Sequence, residues 1–158
     1  MAALVPKDLA WISSASLRAT GEAVSIASPQ AVFAVLADHE AWTTWFPNVK
    51  KVEVLGPAEG IGARRRVKIP MVTVDEEFIA WEPGVRFAFT GLAASPRFAS
   101  SLVEDCRLEP TGDGGCRIGY TMYFEPAGPA GAVMKVSIKR VAKNLQAAMD
   151  ALARVAAR

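Results

Sequence analysis

The stretch AGAVMKVSIKRVAKNLQAAMDALARVA, residues 130–156, decides the fold class of this chain. Its larger apolar residues recur three or four positions apart and therefore share one side of a helix; they are Met134, Ile138, Val141, Leu145, Met149 and Leu152. The pattern predicts one long C-terminal helix whose apolar stripe is buried against a second layer. The lysines between these residues are typical of a solvated outer face, although their four-residue spacing would also suit an anionic membrane or partner.

Upstream of this helix, alternating apolar residues and turn signals predict a run of strands. The predicted strands span 17–26, 50–55, 63–69, 72–81, 85–90, 100–109 and 116–125. Two short helices follow the first strand, one over 29–38 after the start signal Ser28-Pro29 and one over 39–46 that Pro47 ends. Strands segregated from a terminal helix predict an α+β fold, with a curved antiparallel sheet of about seven strands around the long helix.

Length and composition predict one globular domain. The chain has 158 residues, of which 51% are hydrophobic and 22% are charged, as is ordinary for a folded protein. Periodicity is weak in the first fifteen residues. We therefore expect a loosely docked N-terminal arm over 1–15 and a single domain over 16–158.

Charge and motif content argue against several classes of function. A net charge of +2 gives little support to a nucleic-acid partner. No apolar stretch is long enough to cross a bilayer, and Lys7 and Asp8 interrupt the N-terminus, so we expect no integral membrane segment and a cytoplasmic location. One histidine and two cysteines do not make a zinc site of the common kinds, and no phosphate-binding or nucleophile motif is present. We expect neither metal nor cofactor, and the oligomeric state stays open.

The turn Pro70-Met71 assigns side chains to the two faces of the sheet. A two-residue turn there places Ile69 opposite Val72 and, further along, Arg65 opposite Glu76 on one face. The other face pairs the neighbouring arginines with acidic residues. Opposite charges across a strand pair are mildly favourable in water, so the charged face is predicted to be the outer one.

A second turn, centred on Pro83-Gly84, extends the same assignment. It predicts that Ala80 lies opposite Phe87 on the inner face. It also predicts that Trp81 meets Arg86 on the outer face in a cation–π contact.

Four polar residues fall on the predicted inner face: Arg65, Glu76, Glu104 and Tyr120. Glu104 is expected opposite or nearly opposite Tyr120. Burying a charge without a partner is costly, so these groups are expected to pair, reach water or line a cavity. They lie either solvated near the ends of the sheet or in a partly polar pocket between the sheet and the long helix.

Five short motifs follow one another along the chain. They are Ala27-Ser28-Pro29, Trp45-Phe46-Pro47, Gly62-Ala63-Arg64, Trp81-Glu82-Pro83 and Leu108-Glu109-Pro110. In this order and spacing they resemble the START-like superfamily with the birch-pollen-allergen fold. Within it, the chain is most similar to the bacterial polyketide cyclase/dehydrase-like and coenzyme-Q-binding-like branch. The resemblance implies a helix-grip fold with a cavity for a hydrophobic small molecule, closed by the two short helices.

The residues expected to contact that ligand come from the apolar faces of the sheet, the second short helix and the long helix. They are Trp45, Phe46, Val67, Val74, Phe78, Phe87, Phe89, Leu102, Cys106, Ile118, Met122, Phe124, Met134, Ile138, Val141 and Leu145. The fold hosts carriers, cyclases and interaction modules, so the resemblance implies a ligand and no single activity.

Three functions follow from this cavity. The first is binding of a lipid, isoprenoid or polyketide-like molecule. The second is a polyketide cyclase or aromatase-like lyase, in which Glu104 takes a proton next to a carbonyl, Tyr120 donates to the carbonyl oxygen, and Arg65, held by Glu76, stabilises the developing oxyanion. The third is a protein-interaction module with a collapsed cavity and an exposed apolar patch.

The histidine and the two cysteines are expected to be structural. His39 is predicted to be a solvated loop or cap residue, with a general-base role only if it points into the pocket. Cys106 and Cys116 share one face of the last predicted hairpin, opposite or diagonal according to the register. We expect them to be free buried thiols.

Overall fold

An antiparallel sheet is the largest element of the structure, a computed structural model that describes residues 1–158. Its strands are β1 (Ala2–Ala3), β2 (Leu17–Ser25), β3 (Lys51–Val54), β4 (Arg64–Ile69), β5 (Val72–Glu82), β6 (Arg86–Ser95), β7 (Ala99–Pro110) and β8 (Cys116–Pro126). They are ordered β2-β8-β7-β6-β5-β4-β3, with β1 paired to β6. The helices are a 3-10 helix (Leu9–Ser14), α1 (Pro29–Ala37), α2 (Trp42–Trp45) and α3 (Gly128–Ala156). This arrangement confirms the α+β class and the helix-grip fold.

Helix α1 begins where the sequence predicted it. The Ser28 hydroxyl accepts a hydrogen bond from the Ala31 backbone N–H at 3.1 Å, and Pro29 occupies the first turn, where it removes no intrahelical bond. Val32 and Leu36 lie on its buried side. The helix therefore packs against the space between the sheet and α3.

The two halves of α3 pack differently. In the C-terminal half, residues 145–156, Leu145, Met149 and Leu152 are fully buried against the sheet and the two short helices. In the N-terminal half, no residue between 132 and 144 is buried, although the apolar stripe continues through Met134 and Val141. The space beneath the N-terminal half is therefore not filled by side chains.

The β4–β5 hairpin has the predicted register. Arg65 pairs with Glu76, and Ile69 pairs with Val72 across the turn. The β5–β6 prediction was wrong beyond Phe78, because a register shift follows that residue and pairs Ala80 with Ala88.

This bulge turns Trp81 towards the core. Trp81 lies opposite Phe87, and its ring makes edge contacts with Phe33 at 5.5 Å and Phe78 at 5.1 Å. The predicted cation–π contact with Arg86 is absent. The guanidinium of Arg86 instead forms two hydrogen bonds with Asp105, at 2.9 and 2.8 Å.

The β7–β8 hairpin separates the two cysteines. Cys106 lies opposite Tyr120, and Cys116 lies opposite Pro110, so both predicted registers for the pair were wrong. Both thiols are free and buried, as expected. Glu104 lies opposite Met122, which makes Tyr120 its diagonal neighbour.

The N-terminal residues join the sheet more firmly than predicted. The β6–β7 ladder ends at Thr90 and Val103, and beyond it the first residues of the chain pair with β6. Leu4 N–H donates to the Leu92 carbonyl at 2.9 Å, and Val5 N–H donates to the Ser100 carbonyl at 2.8 Å. The segment thus supplies hydrogen bonds that diverging strands would otherwise lack. The domain boundary at residue 15 stays a prediction.

Candidate functional site

A cavity of about 590 Å³ lies between the sheet and the N-terminal half of α3. Hydrophobic residues make up 17 of the 23 that line it, so its walls are mostly apolar, with the charged side chains Arg65, Glu76 and Glu104 at one end and Ser137 on α3. Nine of the predicted ligand-contact residues line it: Phe46, Val67, Val74, Phe89, Leu102, Met122, Phe124, Met134 and Val141.

Seven of the predicted ligand-contact residues do not line the cavity. They are Trp45, Phe78, Phe87, Cys106, Ile118, Ile138 and Leu145. The first five and Leu145 belong to the close-packed core beneath the C-terminal half of α3, where α1 and α2 fill the space. Ile138 packs against a second, smaller core cluster. The correct face was predicted, but the cavity occupies only half of its length.

The cavity also has lining residues that were not among the predicted ligand contacts. They are Trp42, Val49, Ile69, Pro70, Met71, Val72, Pro96, Phe98, Ala130, Val133 and Ser137. Ile69 and Val72 already lay on the predicted inner face, so their pairing was an available signal. Most of the others lie in turns, in loops or on the first turns of α3, where no alternation indicates which way a side chain points.

All four predicted polar residues are buried, so the alternative in which they are solvated at the ends of the sheet was wrong. Arg65 Nε donates to Glu76 Oε2 at 2.7 Å, and both side chains line the cavity. Glu104 also lines it and accepts a hydrogen bond from the Tyr120 hydroxyl. Tyr120 itself lies behind Glu104 and does not line the cavity.

The Arg65 guanidinium is held by aromatic rings as well as by Glu76. Its central carbon lies 4.0 Å from the centroid of the Trp42 ring and 4.8 Å from that of Phe89. Such cation–π contacts are strongest where water is excluded. Its Nη2 atom is buried and has no hydrogen-bond partner. One donor of the buried Arg65 guanidinium is therefore unsatisfied.

His39 is buried and contacts Arg65, so the prediction of a solvated residue was wrong. Its Nε2 lies 2.6 Å from the Ala58 carbonyl, which only accepts, so we assign the proton to Nε2. Nδ1 then accepts from Arg65 Nη1 at 3.3 Å. Burial lowers the pKa of His39, and the positive charge of Arg65 adds to this effect, so the neutral ring is favoured.

Burial also sets the protonation of Glu104. Desolvation, followed by the negative charge of Glu76, raises the pKa of Glu104 to about 8. Glu104 is therefore mostly protonated at neutral pH. Desolvation raises the pKa of Tyr120 well above its usual value, so its hydroxyl remains a donor. Desolvation also raises the pKa of Glu76, but the charge and the hydrogen bond of Arg65 oppose this shift. With the proton on Glu104, we assign the negative charge that balances Arg65 to Glu76, its direct ion-pair partner.

The fold and this lined cavity are those of the helix-grip proteins, and the comparisons with known proteins identify the family. The model of the family described as polyketide cyclase/dehydrase and lipid transport matches residues 16–157, so the chain belongs to this family. The resemblance inferred from the short motifs is thereby confirmed.

Individual relatives agree with this assignment. The chain is 36% identical over 133 residues to the uncharacterized protein Rv2574 of Mycobacterium tuberculosis (strain ATCC 25618 / H37Rv), covering 78% of this chain and 79% of that protein. Among solved structures it is similar to the hypothetical protein jhp0584 of Helicobacter pylori, with a TM-score of 0.79, 17% identity, and coverage of 100% of this chain and 98% of the other. It is also similar to the Zhui aromatase/cyclase of Streptomyces sp. R1128, with a TM-score of 0.75, 18% identity, and coverage of 89% and 93%.

None of the protein's helices is long and apolar enough to cross a membrane. No group of three or more His, Cys, Asp or Glu side chains is placed to hold a metal ion.

Proposed function

We propose that this protein binds a hydrophobic small molecule of the lipid, isoprenoid or polyketide-like kind, with one neutral oxygen at its inner end. The observation that carries the proposal is a cavity of about 590 Å³ with mostly apolar walls, in which Arg65, Glu76 and Glu104 are the only charged lining residues. Pockets of this volume are typical of small-molecule sites. The apolar body of the ligand would lie against the sheet and the N-terminal half of α3.

The polar end selects the chemistry of the ligand's oxygen. Arg65 Nη2 lacks an acceptor, and leaving a buried donor unsatisfied costs about 1–3 kcal/mol. A carbonyl or hydroxyl oxygen supplies that acceptor without adding charge. A carboxylate would add a negative charge beside Glu76, and protonated Glu104 offers it only one further donor.

An enzyme of the cyclase/dehydrase type is the second candidate, because the family description names this activity beside lipid transport. The geometry changes the roles that the sequence suggested. Glu104 is protonated at neutral pH and suits a proton donor to a departing hydroxyl better than a base. Tyr120 has no access to the cavity and acts only through Glu104, while Arg65 would stabilise an enolate oxygen.

An interaction module with a collapsed cavity finds no support, because the cavity is open. Carrier and enzyme differ in one observation. A carrier returns its ligand unchanged, whereas an enzyme releases a product. In the enzyme, Glu104→Gln would abolish turnover while leaving binding intact.

The binding proposal is tested with Prodan, a neutral naphthalene ketone whose emission shifts to shorter wavelength in apolar surroundings. Ala130 lines the cavity, whereas Ala132 is exposed two residues further along the same helix. Ala130→Trp fills the cavity and is expected to abolish the shift, and Ala132→Trp, the matched control, is expected to leave it unchanged. Equal dye binding by both variants would refute a site in this cavity.

A further inference from the structure

The mouth of the cavity lies between two segments that carry exposed apolar side chains. One segment is the β4–β5 turn with Pro70 and Met71, and the other is the flank of α3 with Val133 and Val136. We refer to these four residues as the rim. Met71 is 93% exposed, Val136 is 88% exposed and Val133 is 65% exposed. Pro70, Met71 and Val133 also line the cavity, and Val136 follows Val133 by one helical turn. The apolar cavity wall thus continues onto the surface.

The rim contributes little to folding, because its side chains face water. Single exposed apolar residues are normal on any protein, but a cluster at the opening of a cavity is typical of an interaction site. Met71 also adopts a left-handed backbone conformation, with φ of 66°, which methionine rarely adopts. Glycine or asparagine would fit that turn with less strain.

Along α3 before Asp150 and along residues 64–72, every charged side chain is positive. Arg140 follows Val136 by four residues and Lys143 follows Arg140 by three, so both lie on the same flank of α3, whereas Lys139 lies about 100° further around the helix. Lys68 precedes the β4–β5 turn on the other side of the mouth, and residues 64–72 contain no acidic side chain. None of these four cations forms an ion pair. The first acidic residue of α3 is Asp150, beyond the rim.

We propose that the rim docks on the surface of an anionic lipid bilayer, with the mouth of the cavity facing the membrane. Apolar side chains flanked by unpaired lysine and arginine match an interface of acyl chains and anionic headgroups. Lysine and arginine stems lie along apolar surface while their charged ends reach the headgroups. The inference rests on the proposed function for its cargo, because a molecule suited to this cavity partitions into bilayers.

Docking is measured by flotation of the full chain, without ligand, on vesicles of phosphatidylcholine alone and of phosphatidylcholine mixed with phosphatidylserine. We expect binding to the anionic vesicles that weakens with added salt. Lys143→Gln and Arg140→Gln are each expected to weaken binding about five-fold. The double variant Met71→Ser, Val136→Ser is expected to weaken it about ten-fold or more.

Two controls match these variants. Ile26 is 86% exposed, close to Val136, but follows β2 at the end of the fold where the C-terminal half of α3 lies, so Ile26→Ser is expected to bind like the unaltered protein. Arg154→Gln removes an exposed cation at that end of α3. No binding to anionic vesicles, or equal losses in rim and control variants, would overturn the inference.

A protein partner and failure of the ligand site are separate outcomes. If light scattering shows a dimer that the double rim variant abolishes, and vesicles do not bind, the rim is a contact between copies and the membrane inference falls. Prodan binding in the absence of vesicles tests the cavity alone. Loss of vesicle binding with retained Prodan binding therefore refutes docking and leaves the proposed function standing.

Discussion

Glu76 and Glu104 are two buried carboxyl groups that line the cavity near one arginine, Arg65. Glu76 contacts Arg65 directly, whereas Glu104 is paired with the Tyr120 hydroxyl and keeps its proton. This division leaves the polar end of the cavity neutral overall. It also leaves one donor of Arg65 free for a ligand.

The raised pKa of Glu104 predicts a pH-dependent stability. Its folded pKa of about 8 exceeds the usual value of 4.5, so the stability tied to its proton is fully present below pH 4.5 and is lost as the pH rises through about 8. Relative to Glu104→Gln, the free energy of unfolding of the unaltered protein should fall by several kcal/mol over this window. Urea unfolding of both proteins at a series of pH values measures it, and parallel curves would contradict a buried proton on Glu104.

A second prediction concerns His39, which positions Arg65. His39→Phe keeps a ring against Phe78 but leaves the Ala58 carbonyl and Arg65 Nη1 without their histidine partner. We therefore expect the free energy of unfolding to fall by about 1–3 kcal/mol and Prodan binding to weaken. His39→Asn retains an acceptor near Arg65 and should recover most of the dye affinity. A purely structural role would give both variants the same affinity.

The same residue adds an acid-side pH dependence. The folded pKa of His39 lies below 6.5, so its contribution to stability is present above pH 6.5 and is lost as the pH falls towards the folded value. Protonated Nδ1 would face Arg65 with a second donor. Prodan affinity of the unaltered protein should therefore fall on the acid side, whereas that of His39→Asn should not.

Helix α3 has a C-terminal half that is packed in the core and an N-terminal half that covers the cavity. Leu145→Ala removes a fully buried side chain and is expected to cost about 2–5 kcal/mol. Val141→Ala faces the cavity and is expected to cost less than about 1 kcal/mol, because it leaves no new enclosed void. Chemical unfolding of the two variants measures the difference, and equal costs would show that both halves are packed alike.

Hydrogen exchange tests the same asymmetry on the unaltered protein. Amides of residues 132–144 should exchange faster than those of 145–156, because fewer buried contacts hold that half of the helix. Saturating Prodan should slow exchange in 132–144 selectively. Uniform exchange along α3 would contradict the assignment.

The strand and helix pattern was predictable from the sequence, because periodicity and turn residues are local properties. The β4–β5 register followed from Pro70-Met71, and it placed Arg65 opposite Glu76 correctly. The bulge after Phe78 was not predictable, since no residue there marks it and it accompanies contacts of Trp81 in the core that the local sequence does not show. His39 was misjudged for the same reason, because its partners are nineteen and twenty-six residues away along the chain.

The sequence was enough to predict that a ligand would lie between the inner face of the sheet and α3. It was not enough to predict how far the cavity extends along that face. Nine of the predicted ligand-contact residues line it, six pack in the core where α1 and α2 fill the space, and Ile138 packs against the smaller core cluster. Filling depends on how the short helices dock, which involves contacts distant in sequence. The rim was unpredicted because exposure at a tight turn depends on its neighbours in space.

The central claim is that a neutral oxygen of an apolar ligand meets Arg65 at the inner end of the cavity. A crystal structure of the protein with Prodan tests this most directly. We predict the ketone oxygen within hydrogen-bond distance of Arg65 Nη2 or the Glu104 carboxyl, and the naphthalene against Phe89 and Leu102. A dye bound outside the cavity, or one whose ketone points to the mouth between Met71 and Val133, would contradict the claim.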